Sequence, residues 1–212
     1  MNTDIKLFFG RRVDGVLPDF HLDNVLCSTC RSDYYVPFIS GLIYGILTEN
    51  TEDFKVTLWS TDYTQFYTGS HTKIELTRLN SHHNSLERTL DNYLQRAKNK
   101  SDNAGNELLI LADVRTRDVT PQVINKLEQV ISLSSESGFY VMLIPKEWHV
   151  MFNQLLDSFT TRVTLPCSAE MQKVLLPDVL LEIEDSICVD SDFGSTDILQ
   201  IPMFRTWAVN YV

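Results

Sequence analysis

Leu108-Leu109-Ile110-Leu111-Ala112, running into Asp113-Val114, is the stretch on which the fold turns. A strand with one wet face alternates apolar and polar residues. An unbroken apolar run has no wet face, and it marks a strand covered on both sides, as parallel strands in α/β proteins are. Tyr140-Val141-Met142-Leu143-Ile144 repeats the pattern. Two such runs place the chain in the α/β class, with a mostly parallel sheet between helical layers.

Further strands are expected at Ile5–Phe9, Asn24–Cys27, Lys55–Ser60, Arg162–Leu165, Ser186–Val189 and Ile198–Ile201. Helices fill the intervals. Val36 to Leu47 is apolar nearly all round and is expected to be buried. Ser85 to Ala97 gathers Leu86, Leu90, Tyr93, Leu94 and Ala97 on one face, with Glu87, Arg88, Asp91 and Gln95 opposite. Thr120-Pro121 is a helix start, a capping hydroxyl followed by proline in the first turn. The helix it opens buries Val123, Leu127, Val130 and Ile131. A fourth helix is expected near His149 to Phe159, on Phe152, Leu155, Leu156 and Phe159. The polar stretch 98–106 reads as a local loop, and no repeat or domain boundary is visible, so residues 1–212 are expected to form one domain.

The bulk numbers narrow the function. The chain has 212 residues, enough for one substantial core, and a net charge of −10 with no basic block to offset it. Phosphate backbones are held by basic patches, so direct nucleic-acid binding is not expected. Asp4 and Lys6 interrupt the first apolar run, which does not suit a signal peptide, and no run approaches the ~20 residues of a membrane span. Four cysteines, at 27, 30, 167 and 188, make no disulfide framework in a chain of this length, and a reduced setting is expected.

The order of segments resembles the motor domain of the FtsK/SpoIIIE family of ATPases. Ile5 to Gly10 and on through Gly15, Pro18 and Asp19 is similar to that family's entry strand and glycine turn. Asn24–Cys27 matches the strand before the phosphate loop, and Val36 to Leu47 the helix after it. Thr51 to Val56 resembles the acidic turn into the next strand, with Ser60-Thr61-Asp62-Tyr63 at that strand's end. Thr160 to Val163 followed by Ser168 resembles a late strand and short helix, and Asp190 to Ile201 a closing hairpin turned at Gly194. The resemblance runs nearly end to end and implies a three-layer P-loop NTPase fold of the RecA/FtsK kind. Within the family the chain looks most like a C-terminal ATPase-like domain of the coupling protein of type VII secretion, the EssC/EccC type. That likeness implies neighbouring ATPase domains on the same chain, secreted proteins as substrates, and oligomers in the full assembly. It places the domain on the cytoplasmic side of the membrane, attached only through the parent chain.

A working phosphate loop reads G-x-x-x-x-G-K-[S/T]. Its glycines let backbone N–H groups wrap the phosphates, its lysine neutralises them, and its hydroxyl holds magnesium. The equivalent stretch here is Ser28-Thr29-Cys30-Arg31-Ser32-Asp33-Tyr34-Tyr35. Ser28 and Asp33 stand at the glycines, Tyr34 at the lysine and Tyr35 at the magnesium hydroxyl. Asp33 also brings negative charge where polyphosphate would sit, a repulsion of about 1–4 kcal/mol at 4 Å. Arg31 offsets part of it without restoring a backbone cradle. The family ends its Walker B strand with Asp-Glu; here Asp113 is followed by Val114, and Asp113 reads as a strand-end residue capping the next turn, as Asp62 does at the end of its strand. No cofactor and no metal are expected, and one tyrosine ring is expected to close over the phosphate space. Tyr34, Tyr35, Trp148 and Trp207 are the candidate partner contacts, because tyrosine and tryptophan supply rigid, amphipathic contact area.

Other groupings read as ordinary structure. Cys27-Ser28-Thr29-Cys30 is a C-x-x-C, but it lacks the second ligand pair of a zinc site, and Cys27 reads as the buried end of a strand. His82-His83 reads as a solvated loop. Trp148, beside His149, either packs the helix that follows or lies exposed as a contact. The tail Phe204 to Val212 is apolar to its end and is either a docked final element or a binding patch. The leading expectation is a nucleotide-free interaction domain of a secretion ATPase. An active ATPase motor or DNA-translocase module with an unorthodox loop, and a small redox protein, are the alternatives.

Overall fold

The computed structural model describes residues 5–7, 9, 20–29, 32–50, 54–61, 66, 74–100, 105–176, 186–191 and 195–200. The two apolar runs become neighbouring central strands. β6 is Asn106–Val114 and β7 is Phe139–Pro145, paired in parallel from Glu107↔Phe139 onward. Leu108 to Val114 is buried throughout. On one face Leu108, Ile110 and Ala112 join a core with α1 (Ser32–Glu49). On the other, Leu109, Leu111 and Val114 join a core with α2 (Leu86–Lys98) and α3 (Pro121–Ser137). Both faces of these strands are covered, and their central runs, Leu108–Ala112 and Val141–Ile144, are apolar throughout; the polar residues Asn106, Glu107 and Asp113 fall toward the ends of β6.

Around this pair the sheet grows outward. β3 (Val25–Cys27) lies beside β7, and β8 (Thr161–Thr164) beside β3, both in parallel. On the other side come β4 (Phe54–Ser60) and then β5 (Ile74–Asn80), also in parallel. β9 (Ser186–Ser191) and β10 (Ser195–Gln200) form a hairpin added antiparallel to β8. The full order is β10-β9-β8-β3-β7-β6-β4-β5. A separate two-stranded ribbon pairs β1 (Lys6–Leu7) with β2 (Phe20–His21). The fold is thus the expected three-layer α/β arrangement around a mostly parallel sheet. Thr160 hydroxyl and Asn24 carbonyl groups, with Asp23, tie the start of β3 to the start of β8.

Capping follows local chemistry. Ser85 accepts the Arg88 N–H at 3.3 Å to open α2, and Thr120 accepts the Val123 N–H at 3.2 Å to open α3, with Pro121 in the first turn. α3 ends at Gly138, whose φ of 68° is the left-handed conformation that glycine adopts without strain. A short α4 (Ala169–Leu175) is capped by Ser168.

Several expectations are corrected. β5 reads as no strand in the sequence because Glu75, Thr77 and Arg78 break its apolar content, and as an edge strand it is only partly buried. β2 is likewise additional. α1 starts a turn earlier than Val36, which puts Pro37 inside the helix. The element after His149 is a 3-10 segment, Val150–Ser158, rather than an α-helix, though Phe152 and Leu155 are buried as expected. The entry strand shrinks to Lys6–Leu7, while the closing hairpin turn at Gly194, the 51–53 turn and the tail 201–212 lie outside the described residues.

Candidate functional site

The place to look is the C-terminal edge of the parallel strands, beside β3, where α/β sheets bind their ligands. Ser28 follows β3 directly and is fully buried. Its N–H donates to the Val163 carbonyl at 2.8 Å. Its Oγ accepts the Leu165 N–H at 2.8 Å and donates to the Thr29 carbonyl at 2.8 Å. Ser28 is therefore built into the joint between β3 and the end of β8. Thr29 is half-buried. Cys30 and Arg31, and the side chains of Ser32 and Asp33, lie outside the described residues.

Tyr35 and Tyr34 part company. Tyr34 is half-buried. Tyr35 is 4% exposed and belongs to the core under α1, edge-on to Phe66 with ring centroids 6.2 Å apart. Of the two tyrosines proposed as partner contacts, only Tyr34 keeps exposed surface to offer. Over the Tyr35 ring stands the ammonium of Lys146, 4.5 Å from the centroid. Lys146 directly follows β7, and its N–H donates to the Val114 carbonyl at 2.8 Å. The sequence reading passed over Lys146. Its signal was positional: a cation at the end of the strand that neighbours the loop strand.

Asp113 is the penultimate residue of β6, where the ladder is irregular between Ala112 and Val114, and its φ is 65°. A non-glycine residue in the left-handed region is uncommon, and aspartate is among the few types that tolerate it. Asp113 is 8% exposed and faces Arg115, whose terminal nitrogen is 3.5 Å from Oδ2. It does not cap the next turn as expected. That work falls to Asp118, which accepts the Arg115 N–H at 3.0 Å, and to Glu147, which accepts the Thr116 N–H at 3.1 Å. The Thr116 N–H holds the Glu147 carboxyl below its ordinary pKa, with Arg115 and Arg117 adding to the effect.

Trp148 settles between its two readings. It is half-buried, edge-on to Phe152 at 5.6 Å, and its Nε1 donates to Asn153 Oδ1 at 3.1 Å. It packs the 3-10 segment that follows. Trp207 and Asp62 lie outside the described residues. Cys27 is fully buried, and burial raises the Cys167 thiol pKa, partly offset by a hydrogen bond with Ser28. His82 and His83 are exposed in a turn, and among the described residues no group of three or more His, Cys, Asp and Glu side chains is placed to hold a metal. No helix of the described residues is long and apolar enough to cross a membrane.

No protein-family profile matches the chain, and no curated protein matches its sequence. Its structure is similar to solved ones. Against the cytoplasmic domain of the type VII secretion ATPase EccC of Thermomonospora curvata the TM-score is 0.71 at 10% identity, over 93% of this chain and 28% of that one. Against ATPases 2 and 3 of the same EccC, in complex with a signal sequence peptide, it is 0.59 at 10% identity, over 92% and 40%. Against the genome packaging NTPase B204 of Sulfolobus turreted icosahedral virus 2, in complex with ATP-gammaS, it is 0.55 at 10% identity, over 84% and 96%. The shared property is the P-loop NTPase fold. The chain spans well under half the length of either EccC chain.

Proposed function

We propose that this chain is a single nucleotide-free, ATPase-like domain of a type VII protein secretion coupling ATPase, binding a secreted substrate or a neighbouring ATPase domain rather than hydrolysing ATP. The observation that carries the reading is Tyr35. It stands where a P-loop has its magnesium hydroxyl, yet its ring is spent inside the core beneath Lys146. Ser28, at the first glycine position, supports it with a side chain committed to Leu165 and Thr29. At the end of β6 the sequence runs Asp113-Val114 in place of the family's Asp-Glu pair, and the Asp113 carboxylate faces Arg115. The domain acts on the cytoplasmic side of the membrane, held there by its parent chain beside other ATPase domains, and DNA is not its ligand.

Replacing Asp33-Tyr34-Tyr35 with Gly-Lys-Ser tests the reading. The variant is expected to remain without ATPase activity, since Ser28 and the lone Asp113 are unchanged. Hydrolysis recovered by that change alone would show a site nearly intact and overturn the proposal.

A further inference from the structure

β5 closes the described sheet on one side. It pairs with β4 without interruption from Phe54↔Ile74 to Ser60↔Asn80, and it has no proline and no bulge. Edge strands present a row of unpaired backbone groups, which proteins blunt with proline, bulges or charged side chains; β5 has only the last, in Glu75 and Arg78. Arg78 sits in its second half, opposite Leu58, on the face shared with α1. Its Nε and one terminal nitrogen are buried with no hydrogen-bond acceptor. A guanidinium cannot shed its charge, and it presents donors in a fixed fork that matches a carboxylate.

We propose that β5 accepts an extended segment of a partner polypeptide as an added strand, and that an aspartate or glutamate of that segment pairs with Arg78. Main-chain bonds to the outer edge of β5, which pairs with no further strand among the described residues, give the affinity, and the carboxylate sets the register. Cross-strand neighbours face the same side of a sheet, so the acid stands directly opposite Arg78 or two residues along the added strand. A second copy of this chain does not supply it. Edge-to-edge antiparallel pairing of two β5 strands would bring Ile74, Leu76, Arg78 and Asn80 to that face, none of them acidic. On the other face β5 walls a polar groove of about 230 Å³ beside α2, lined by Lys55, Thr57, Glu75, Thr77, Arg96 and Glu107, which offers hydrogen-bonding groups to side chains of the added strand that face that way. The proposal rests on reading the chain as a partner-binding domain. A nucleotide titration would sink that reading while leaving the behaviour of β5 unchanged.

The test is selection of short random peptides on the full chain, followed by synthesis of the selected sequences. The expected sequences carry Asp or Glu at one fixed position. Arg78→Leu, or conversion of that peptide acid to its amide, weakens binding about tenfold or more, and Arg78→Lys weakens it less. Amides of residues 74–80 gain protection from hydrogen exchange when peptide is bound. Arg78→Leu itself melts at a higher temperature than the parent, which separates lost recognition from lost folding. Peptides without a fixed acid, peptides that bind Arg78→Leu equally well, no selected peptide at all, or self-association through β5 would each overturn the proposal.

Discussion

The ammonium of Lys146 lies 4.5 Å above the ring of Tyr35, joining the end of β7 to the first turns of α1. The ring is buried against Phe66, so the cation closes over the outer side of a core residue. Loss of the cation costs about 0.5–2 kcal/mol. Lys146→Met is expected to lower the melting temperature by a few degrees, at about 2–4 °C per kcal/mol for a domain of this size. An unchanged melting curve would show the contact to be incidental.

Tyr35→Thr puts back the residue type that the phosphate loop requires. Because Tyr35 is buried against Phe66, the change leaves a cavity and should cost about 3–5 kcal/mol, as large-to-small aromatic changes do. Denaturant unfolding measures it. The variant should bind Mg-ATP no better than the parent.

How this site could be read from sequence divides sharply. Ser28, Asp33, Tyr34 and Tyr35 drew notice in the sequence as departures from a spaced pattern, because a P-loop makes specific demands at fixed intervals. The central strands were legible too, since two covered faces force unbroken apolar runs such as Leu108–Ala112 and Tyr140–Ile144. β5 was not, because an edge strand has less to bury and Glu75, Thr77 and Arg78 satisfy it as well as apolar residues would. Lys146 was not, because its partner lies far off in the chain and only the order β3-β7-β6 brings them together. The inward turn of Tyr35 depends on the room beneath α1, which no local pattern records.

Asp113 holds a left-handed backbone at φ 65°. Asparagine tolerates that conformation and β-branched residues do not. Asp113→Asn should stay within about 0.5 kcal/mol of the parent, whereas Asp113→Val should lose about 1–2 kcal/mol from the backbone alone. Equal stabilities for the two variants in urea would contradict this.

Asn24 is buried and makes two bonds at the foot of the sheet. Its Nδ2 donates to Ser134 Oγ at 2.7 Å, and its Oδ1 accepts the Val141 N–H at 3.0 Å. Asn24→Ala strands a buried backbone donor and should cost about 2–4 kcal/mol, at 1–3 for a group left unsatisfied plus the second bond. Loss of hydrogen-exchange protection at Val141 would locate the effect.

Glu147 makes stability depend on pH in the acid range. Its folded pKa is depressed below the ordinary 4.5, chiefly by the Thr116 N–H. Its contribution is therefore present above pH 4.5 and is lost as the pH falls through the lower folded value. Glu147→Gln should be less stable than the parent at pH 6, and the gap should close toward pH 3. A gap that widens on acidification would reverse the assignment.

The most direct test of the central claim is the melting temperature in millimolar Mg-ATP. A ligand at one hundred times its dissociation constant stabilises a protein by about 2.7 kcal/mol, which for a domain of this size is a shift of roughly 5–11 °C at 2–4 °C per kcal/mol. With Ser28 bonded to Leu165 and Tyr35 packed beneath Lys146, no upward shift is expected. A rise of several degrees that requires both magnesium and the triphosphate would contradict the account.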